Sequence, residues 1–402
     1  MEHKIHYVLR NNLSMPLPEM AGQFGLEQAK RANTFHTSFP EYSQTPLVDL
    51  RDLAGMLGVA GIYVKDESPR FGLNAFKVLG GSYCIGRYIA QRLGADISQM
   101  PYKELISRKV REKLGDITFI TATDGNHGRG IAWTASKIGQ RSVVLMPSGS
   151  SAERLENIRA LGAEASITDL NYDDTVRLAS AIAEEKGWVL VQDTSWPGYE
   201  TLPLWIMQGY TSMGYEIVRQ LEDIKPTHIF LQAGVGAMAG AMAGFFASYY
   251  GAGKRPRVIV VEPDRADCVY RTALAGDGRL HRVEGELQTI MAGLACGEPC
   301  TIGWSVLEKC ADAFVSIPDN IAAKGMRMLA NPLGNDKRII SGESGAAAFG
   351  LAMVTLMCQD MEDLKERLRL DSTSRILCIS TEGDTDKENY RHIVWDGLYP
   401  SM

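Results

Sequence analysis

Short apolar and β-branched runs alternate along this chain with longer stretches in which apolar residues recur at helical spacing. The short runs cover 62–64, 118–121, 142–146, 189–191, 228–231, 257–261, 313–315 and 375–379. Several are apolar almost throughout, the pattern of strands buried on both faces. The helical stretches cover 79–93, 127–138, 151–161, 173–186, 205–222, 237–250, 320–330 and 344–357. Strand–helix–strand alternation predicts an α/β fold with parallel-rich twisted sheets, flanked by helices and joined by right-handed crossovers. Residues 86–194 hold three or four compact βα units, and the later strands form a second series. The reading is two domains, a small one of 86–194 and a large one of 1–85 plus 195–402, with a cleft between them. Ligands bind in such clefts, beyond the carboxyl ends of parallel strands. The irregular loop 195–204, with Trp196-Pro197-Gly198-Tyr199, is a lid or a cleft edge.

The chain's 402 residues suit roughly two or three domains, or one large α/β unit. A composition of 45% hydrophobic and 22% charged residues is that of a globular protein, not a disordered one. Lys+Arg 42 against Asp+Glu 48 leaves a net charge of −6, without the basic excess of a nucleic-acid binder. No run is long and apolar enough for a bilayer, and residues 1–6 are charged without a following apolar stretch, so no secretory signal is expected. The seven cysteines form no C-x-x-C pair, and Cys296-x3-Cys300 lacks a second ligand pair. No metal site is expected. Reduced cysteines in a cytoplasmic protein are the expectation, with a local Cys268–Cys296 or Cys296–Cys300 bridge left open.

Four segments could carry chemistry. In the first, Lys77 follows Phe76 just ahead of Val78-Leu79-Gly80-Gly81. An amine desolvated there has a lowered pKa and can condense with a carbonyl, unless it simply snorkels to water from a helix start. In the second, Thr123-Asp124-Gly125-Asn126-His127-Gly128 leads from a strand into a helix. Its small residues bring backbone amides to an anion, or else Asp and Asn cap a tight turn. The third, Gly234-Val235-Gly236-Ala237-Met238, is another strand–glycine loop–helix join. It is a phosphate cradle that also matches G-x-G-x-x-A, so a nicotinamide dinucleotide with Glu262 on its ribose is a competing reading. The fourth, Ser380-Thr381-Glu382-Gly383-Asp384-Thr385-Asp386, ends the last strand with hydroxyls that can bond a neutral ring nitrogen.

These four pieces, in this order, resemble the pyridoxal-phosphate enzymes of the tryptophan-synthase-β-like fold, fold type II. Within that family the resemblance is to enzymes acting on 2,3-diaminopropionate, through Asn-Ala-Phe-Lys-Val-Leu-Gly-Gly-Ser-Tyr (74–83), Gln-Asp-Thr-Ser-Trp (192–196) and Ser-Thr-Glu-Gly-Asp-Thr-Asp (380–386). Serine and threonine dehydratases usually carry Ser or Ala where this chain has Asp124. The resemblance implies α,β-elimination of D- and/or L-2,3-diaminopropionate to pyruvate and ammonia, with a dehydratase-type or other β-elimination or β-replacement activity as the alternative. It implies Lys77 as the amine that carries the cofactor and as the base toward an L-substrate. It makes Asp124 the base toward a D-substrate, and Asp193 a second carboxylate that binds the distal ammonium or assists proton transfer. It implies that Phe76 and Asn126 border the cofactor ring and that amides of Thr123, Asp124, Gly125, Asn126 and His127 take the substrate carboxylate. Amides of Gly234, Val235, Gly236, Ala237 and Met238 would take the phosphate. Ser380 aligns with the ring-nitrogen partner ahead of Thr381 and Thr385. Glu343 either lines the site or meets a helix dipole. A homodimer is implied by resemblance alone.

Overall fold

The computed structural model describes residues 4–10 and 12–400; Met1, Glu2 and His3, read above for a signal, lie outside the described residues. Eleven strands follow in chain order: β1 (His6–Leu9), β2 (Leu47–Asp49), β3 (Gly61–Asp66), β4 (Thr118–Ala122), β5 (Arg141–Met146), β6 (Glu164–Ile167), β7 (Val189–Leu190), β8 (His228–Gln232), β9 (Arg257–Pro263), β10 (Ala313–Ile317) and β11 (Arg375–Ser380). They form a seven-stranded sheet in the order β1-β10-β9-β8-β11-β3-β2 and a four-stranded sheet in the order β6-β5-β4-β7. Every pairing is parallel except at the two edges of the large sheet, where β1 and β2 run antiparallel.

All eight predicted strands and all eight predicted helices are present, with ends shifted by a few residues. Edge strands β1 and β2 and the exposed β6 were not anticipated. Each is only three or four residues long, too short for a periodic signal. The alternation of strand side chains divides the large sheet's core. Phe230, Ile259, Val261 and Ile376 face the helices Asp319–Ala330 and Glu343–Met357, while Ile229, Leu231, Val260 and Leu377 face the helices Thr201–Leu221 and Ala237–Tyr250. The expected boundary at 85/86 falls inside the helix Val78–Arg92, which packs on both the Thr201–Leu221 helix and the Asn126–Lys137 helix. The loop 195–204 is pinned rather than free. Trp196 stacks on Tyr199 at 4.5 Å, and the Tyr199 hydroxyl donates to the Leu190 carbonyl at 2.8 Å and accepts from the Gln192 amide at 2.9 Å. Among the described residues, no helix is long and apolar enough to cross a membrane.

Candidate active site

The four segments converge. Each follows the carboxyl end of a parallel strand, namely β3, β4, β8 and β11, as the topology of open α/β sheets requires. The first and fourth are one unit. Phe76 N donates to Thr381 O at 3.0 Å, Gly383 N donates to Asn74 O at 3.0 Å, and Asn74 Nδ2 reaches Asp384 Oδ1 at 3.1 Å. A Cβ at Gly383 would lie 2.1 Å from Asn74 Oδ1, so a side chain there would displace the Asn74 amide that joins the two segments.

Glycine also brings the small sheet to Lys77. A Cβ at Gly130 would lie 2.9 Å from Val78 Cα and 3.3 Å from the Lys77 carbonyl carbon. Those are backbone atoms with no rotamer to yield. Gly130→Ala is therefore expected to push the Asn126–Lys137 helix off the lysine backbone. A loss of about 1–3 kcal/mol is expected, read as a lower denaturation midpoint.

The cleft is lined by Phe76, Lys77, Asp124, Asn126, Tyr172, Asp193, Tyr210, Gln232, Ala233, residues 234–238, Gly293, Leu294, Cys296, Ser344, Thr381 and Glu382. Lys77 Nζ contacts Asp193 Oδ2. Burial alone would lower the amine, but the carboxylate of Asp193, with Tyr210 and Asp124, outweighs it and holds Lys77 above its ordinary value. This corrects the expectation of a lowered amine, because the sequence could not show which anion lay beside it. Burial would raise Asp193, but His127 and Lys77 outweigh it and hold the carboxyl down at about 2. Burial in turn lowers His127, against the opposing pull of Asp193. His127 Nε2 bonds the Val191 carbonyl at 2.7 Å, and Nδ1 stands 3.8 Å from Asp193 Oδ2.

The substrate loop is built differently from the expectation. Thr123, Gly125 and His127 do not line the cleft. Thr123 Oγ1 accepts from Gly125 N at 2.9 Å and Gly128 N at 3.0 Å, while Thr123 N donates to Leu145 O. Two of the five amides proposed for a carboxylate are thus engaged within the protein; those of Asp124, Asn126 and His127 remain. Gly125, at φ +146°, supports the turn.

Gly236, at φ +90°, opens the Ala237–Tyr250 helix, and among the described residues no backbone acceptor takes the amides from Gly234 to Met238. Five consecutive open amides at a helix N-terminus make an anion cradle. A Cβ at Gly234 would lie 3.1 Å from Leu294 Cα and 3.2 Å from Cys296 Sγ, so a side chain there would crowd the cradle's wall. Glu262 faces away from it. Its buried carboxylate accepts from Val269 N at 2.9 Å and Tyr270 N at 2.5 Å, capping the helix Cys268–Ala275. The dinucleotide reading loses its ribose ligand.

Of the three hydroxyls considered for a ring nitrogen, only Thr381 lines the cleft, bonded to Gln232 Nε2 at 2.9 Å. Ser380 is buried one residue back and donates to Ser341 Oγ at 2.7 Å. Its neighbour Glu382, not singled out from sequence, reaches the cleft instead. It accepts from Asn126 Nδ2 and from Ser344 N at 3.1 Å. Glu343 is buried, outside the cleft lining, and accepts from Asn389 Nδ2. Burial first, then Glu382, raises its carboxyl to about 7. Tyr210, Tyr172 and Gln232 were also missed, since an isolated Tyr or Gln in a helix or strand carries no local signal. All seven cysteines are free thiols.

The donor set fits a phosphorylated aromatic aldehyde. One wall offers the amide cradle and another an amine with its counter-ion. Three buried polar atoms of residues lining the cleft, Asp124 Oδ2, Tyr210 OH and Gln232 Oε1, have no hydrogen-bond partner among the described residues.

A family model for "Pyridoxal-phosphate dependent enzyme" matches residues 39–382. The "Diaminopropionate ammonia-lyase" of Escherichia coli (strain K12) is 49% identical over 383 residues, covering 95% of this chain and 94% of that protein. The crystal structure of diaminopropionate ammonia lyase from Escherichia coli in complex with D-serine matches with a TM-score of 0.91 at 45% identity, over 99% of this chain and 98% of that one. The same enzyme in complex with an aminoacrylate-PLP azomethine reaction intermediate matches with a TM-score of 0.90 at 46% identity, over the same shares.

Proposed function

This chain belongs to the family of pyridoxal-phosphate-dependent enzymes, and from that premise we propose that it catalyses the α,β-elimination of 2,3-diaminopropionate to pyruvate and ammonia. It is a carbon–nitrogen lyase of fold type II. The observation that carries the reading is the Lys77–Asp193 pair, set with the Asp124 carboxylate and the 234–238 amides in one cleft.

Pyridoxal phosphate, when bound, supplies an aldehyde for an amine and a ring that takes up the electron pair left on the substrate's α-carbon. The amides of Gly234 to Met238 would hold its phosphate, Phe76 and Asn126 would border its ring, and Lys77 would carry it. Thr381 takes the ring-nitrogen role first given to Ser380. Asp193, in contact with Nζ, would hold the Lys77 amine in place as its counter-ion. In its neutral form Lys77 would remove the α-proton of an L-substrate. A D-substrate offers that proton on the other side, where Asp124 is the base. Asp193 and Asp124 together favour a substrate whose leaving group is an ammonium. The amides of Asp124 and Asn126, which line the cleft, would take the substrate carboxylate.

The test is pyruvate measured from D- and L-2,3-diaminopropionate, D- and L-serine and L-threonine. Diaminopropionate is expected to turn over fastest. Serine as the best substrate would favour the dehydratase reading and remove the ammonium argument for the two aspartates. We further place the protein in the cytoplasm as a homodimer. Its seven free thiols support the compartment, and light scattering of the purified protein checks the dimer.

A further inference from the structure

We propose that Arg154 is the positioning residue for Asp124, joining the small-sheet carboxylate to the loop after β11. The inference rests on the reading of Asp124 as the base toward the D-isomer. Arg154 stands in the first turn of the helix Ala152–Arg159, where the helix dipole opposes a cation. It is nonetheless buried, 8% exposed. What offsets that position is the surrounding charge. Burial works against the guanidinium, but Glu382, Asp124, Glu343 and Asp386 together hold it above its ordinary value.

Its contacts run both ways across the cleft mouth. Nη1 lies 4.0 Å from Asp124 Oδ2, and Nη2 donates to Thr385 Oγ1 at 3.3 Å. Its stem passes under the loop, so a Cβ on Gly125 would meet Arg154 Cδ at 3.0 Å. Two buried atoms here lack partners: Arg154 Nε and Asp124 Oδ2. Asp124 Oδ2 has no hydrogen bond of its own, so the guanidinium is the cation that aims this carboxylate. Because Thr385 and Glu382 belong to the loop that also carries Thr381, the same side chain ties the base to the wall against which the substrate is held.

A residue acting through Asp124 must affect the two isomers unequally. In cofactor-saturated enzyme, Arg154→Met is expected to lower kcat for D-2,3-diaminopropionate roughly 100-fold while changing that for the L-isomer less than about threefold. The visible absorption of the resting enzyme should stay unchanged. Arg154→Lys, which keeps the charge but not the fork, should recover part of the D-activity; it also serves if the methionine variant does not fold. In Asp124→Asn, adding Arg154→Met should cost nothing further on the D-isomer. Equal losses on both isomers, or an additive loss in the double variant, overturn the inference. Asp124→Asn separates the two failures. D-turnover surviving it removes the base, and the inference with it. D-turnover lost in Asp124→Asn but intact in Arg154→Met and Arg154→Lys removes the inference alone.

Discussion

Lys77→Ala, saturated with pyridoxal phosphate, is expected to show none of the visible absorption of a lysine-bound cofactor and to release no pyruvate above background from either isomer. The reason lies in the site's charge balance as much as in the missing nucleophile. Among the described residues, Lys77 is the only Lys or Arg in contact with Asp193, whose buried carboxyl it helps to hold below its ordinary value. Removing the amine leaves that carboxylate uncompensated at the place where a substrate's distal ammonium would sit. It also removes the group we propose as the base toward the L-isomer, a loss of about 10²–10⁴-fold by itself. Added amines such as methylamine, which can enter the space left by the side chain, should restore some turnover. Absorption spectra and pyruvate assays on the variant, compared with the unaltered protein, check both statements. A yellow, active Lys77→Ala protein would remove the whole assignment.

Glu216→Gln is expected to cost about 3–5 kcal/mol of stability, because it breaks a buried pair and leaves charge uncompensated. Glu216 lies in the helix Thr201–Leu221 and accepts from Lys65 at 2.7 Å and from Arg70 Nη1 at 2.7 Å and Nη2 at 2.8 Å. Arg70 also bonds Glu67 through two nitrogens at 2.8 Å, and Thr45 Oγ1 donates to Glu67 at 2.7 Å. The two cations and two carboxylates balance with essentially no solvent exposure. In the glutamine variant Lys65 and Arg70 face Glu67 alone. Burial would raise Glu216, but Arg70 and Lys65 outweigh it and hold it below the ordinary glutamate value. A depressed carboxyl contributes stability that is fully present above its unfolded value and lost as pH falls through the folded one. The unaltered protein should therefore lose stability as pH drops below about 4, and the variant should lack that part of the acid dependence. Denaturant midpoints near neutral pH and in mild acid, with one cofactor loading throughout, measure it. The network also anchors the backbone that leads to Lys77, where Phe71 at φ 51° and Asn74 at φ 59° occupy left-handed conformations. Activity should fall together with stability. A variant as stable as the parent at both pH values would show that the network is dispensable.

Much of this was legible in the chain itself. The eight strands and eight helices followed from local periodicity, and the four loops could be placed because each glycine-rich or polar segment directly follows a buried apolar run. The open amides of Gly234 to Met238 are where the strand–glycine–helix pattern put them. Lys77, Asp124, Asn126 and Asp193 line one cleft, as expected from their order along the chain.

The rest depended on partners far away in sequence. The direction of the Lys77 shift reversed because Asp193, 116 residues on, lies against it. Ser380 ends the last strand and Glu382 lies two residues beyond it, yet the serine bonds Ser341 and the glutamate Asn126, partners that the sequence near the strand end does not indicate. Arg70 carries no local signal in the sequence; Glu216, 146 positions later, closes its network. Periodicity reports which face of an element is apolar, a property of neighbouring residues. Charge states and side-chain aim are set by fields and contacts that act over a few ångströms in space, and only the packed chain specifies those.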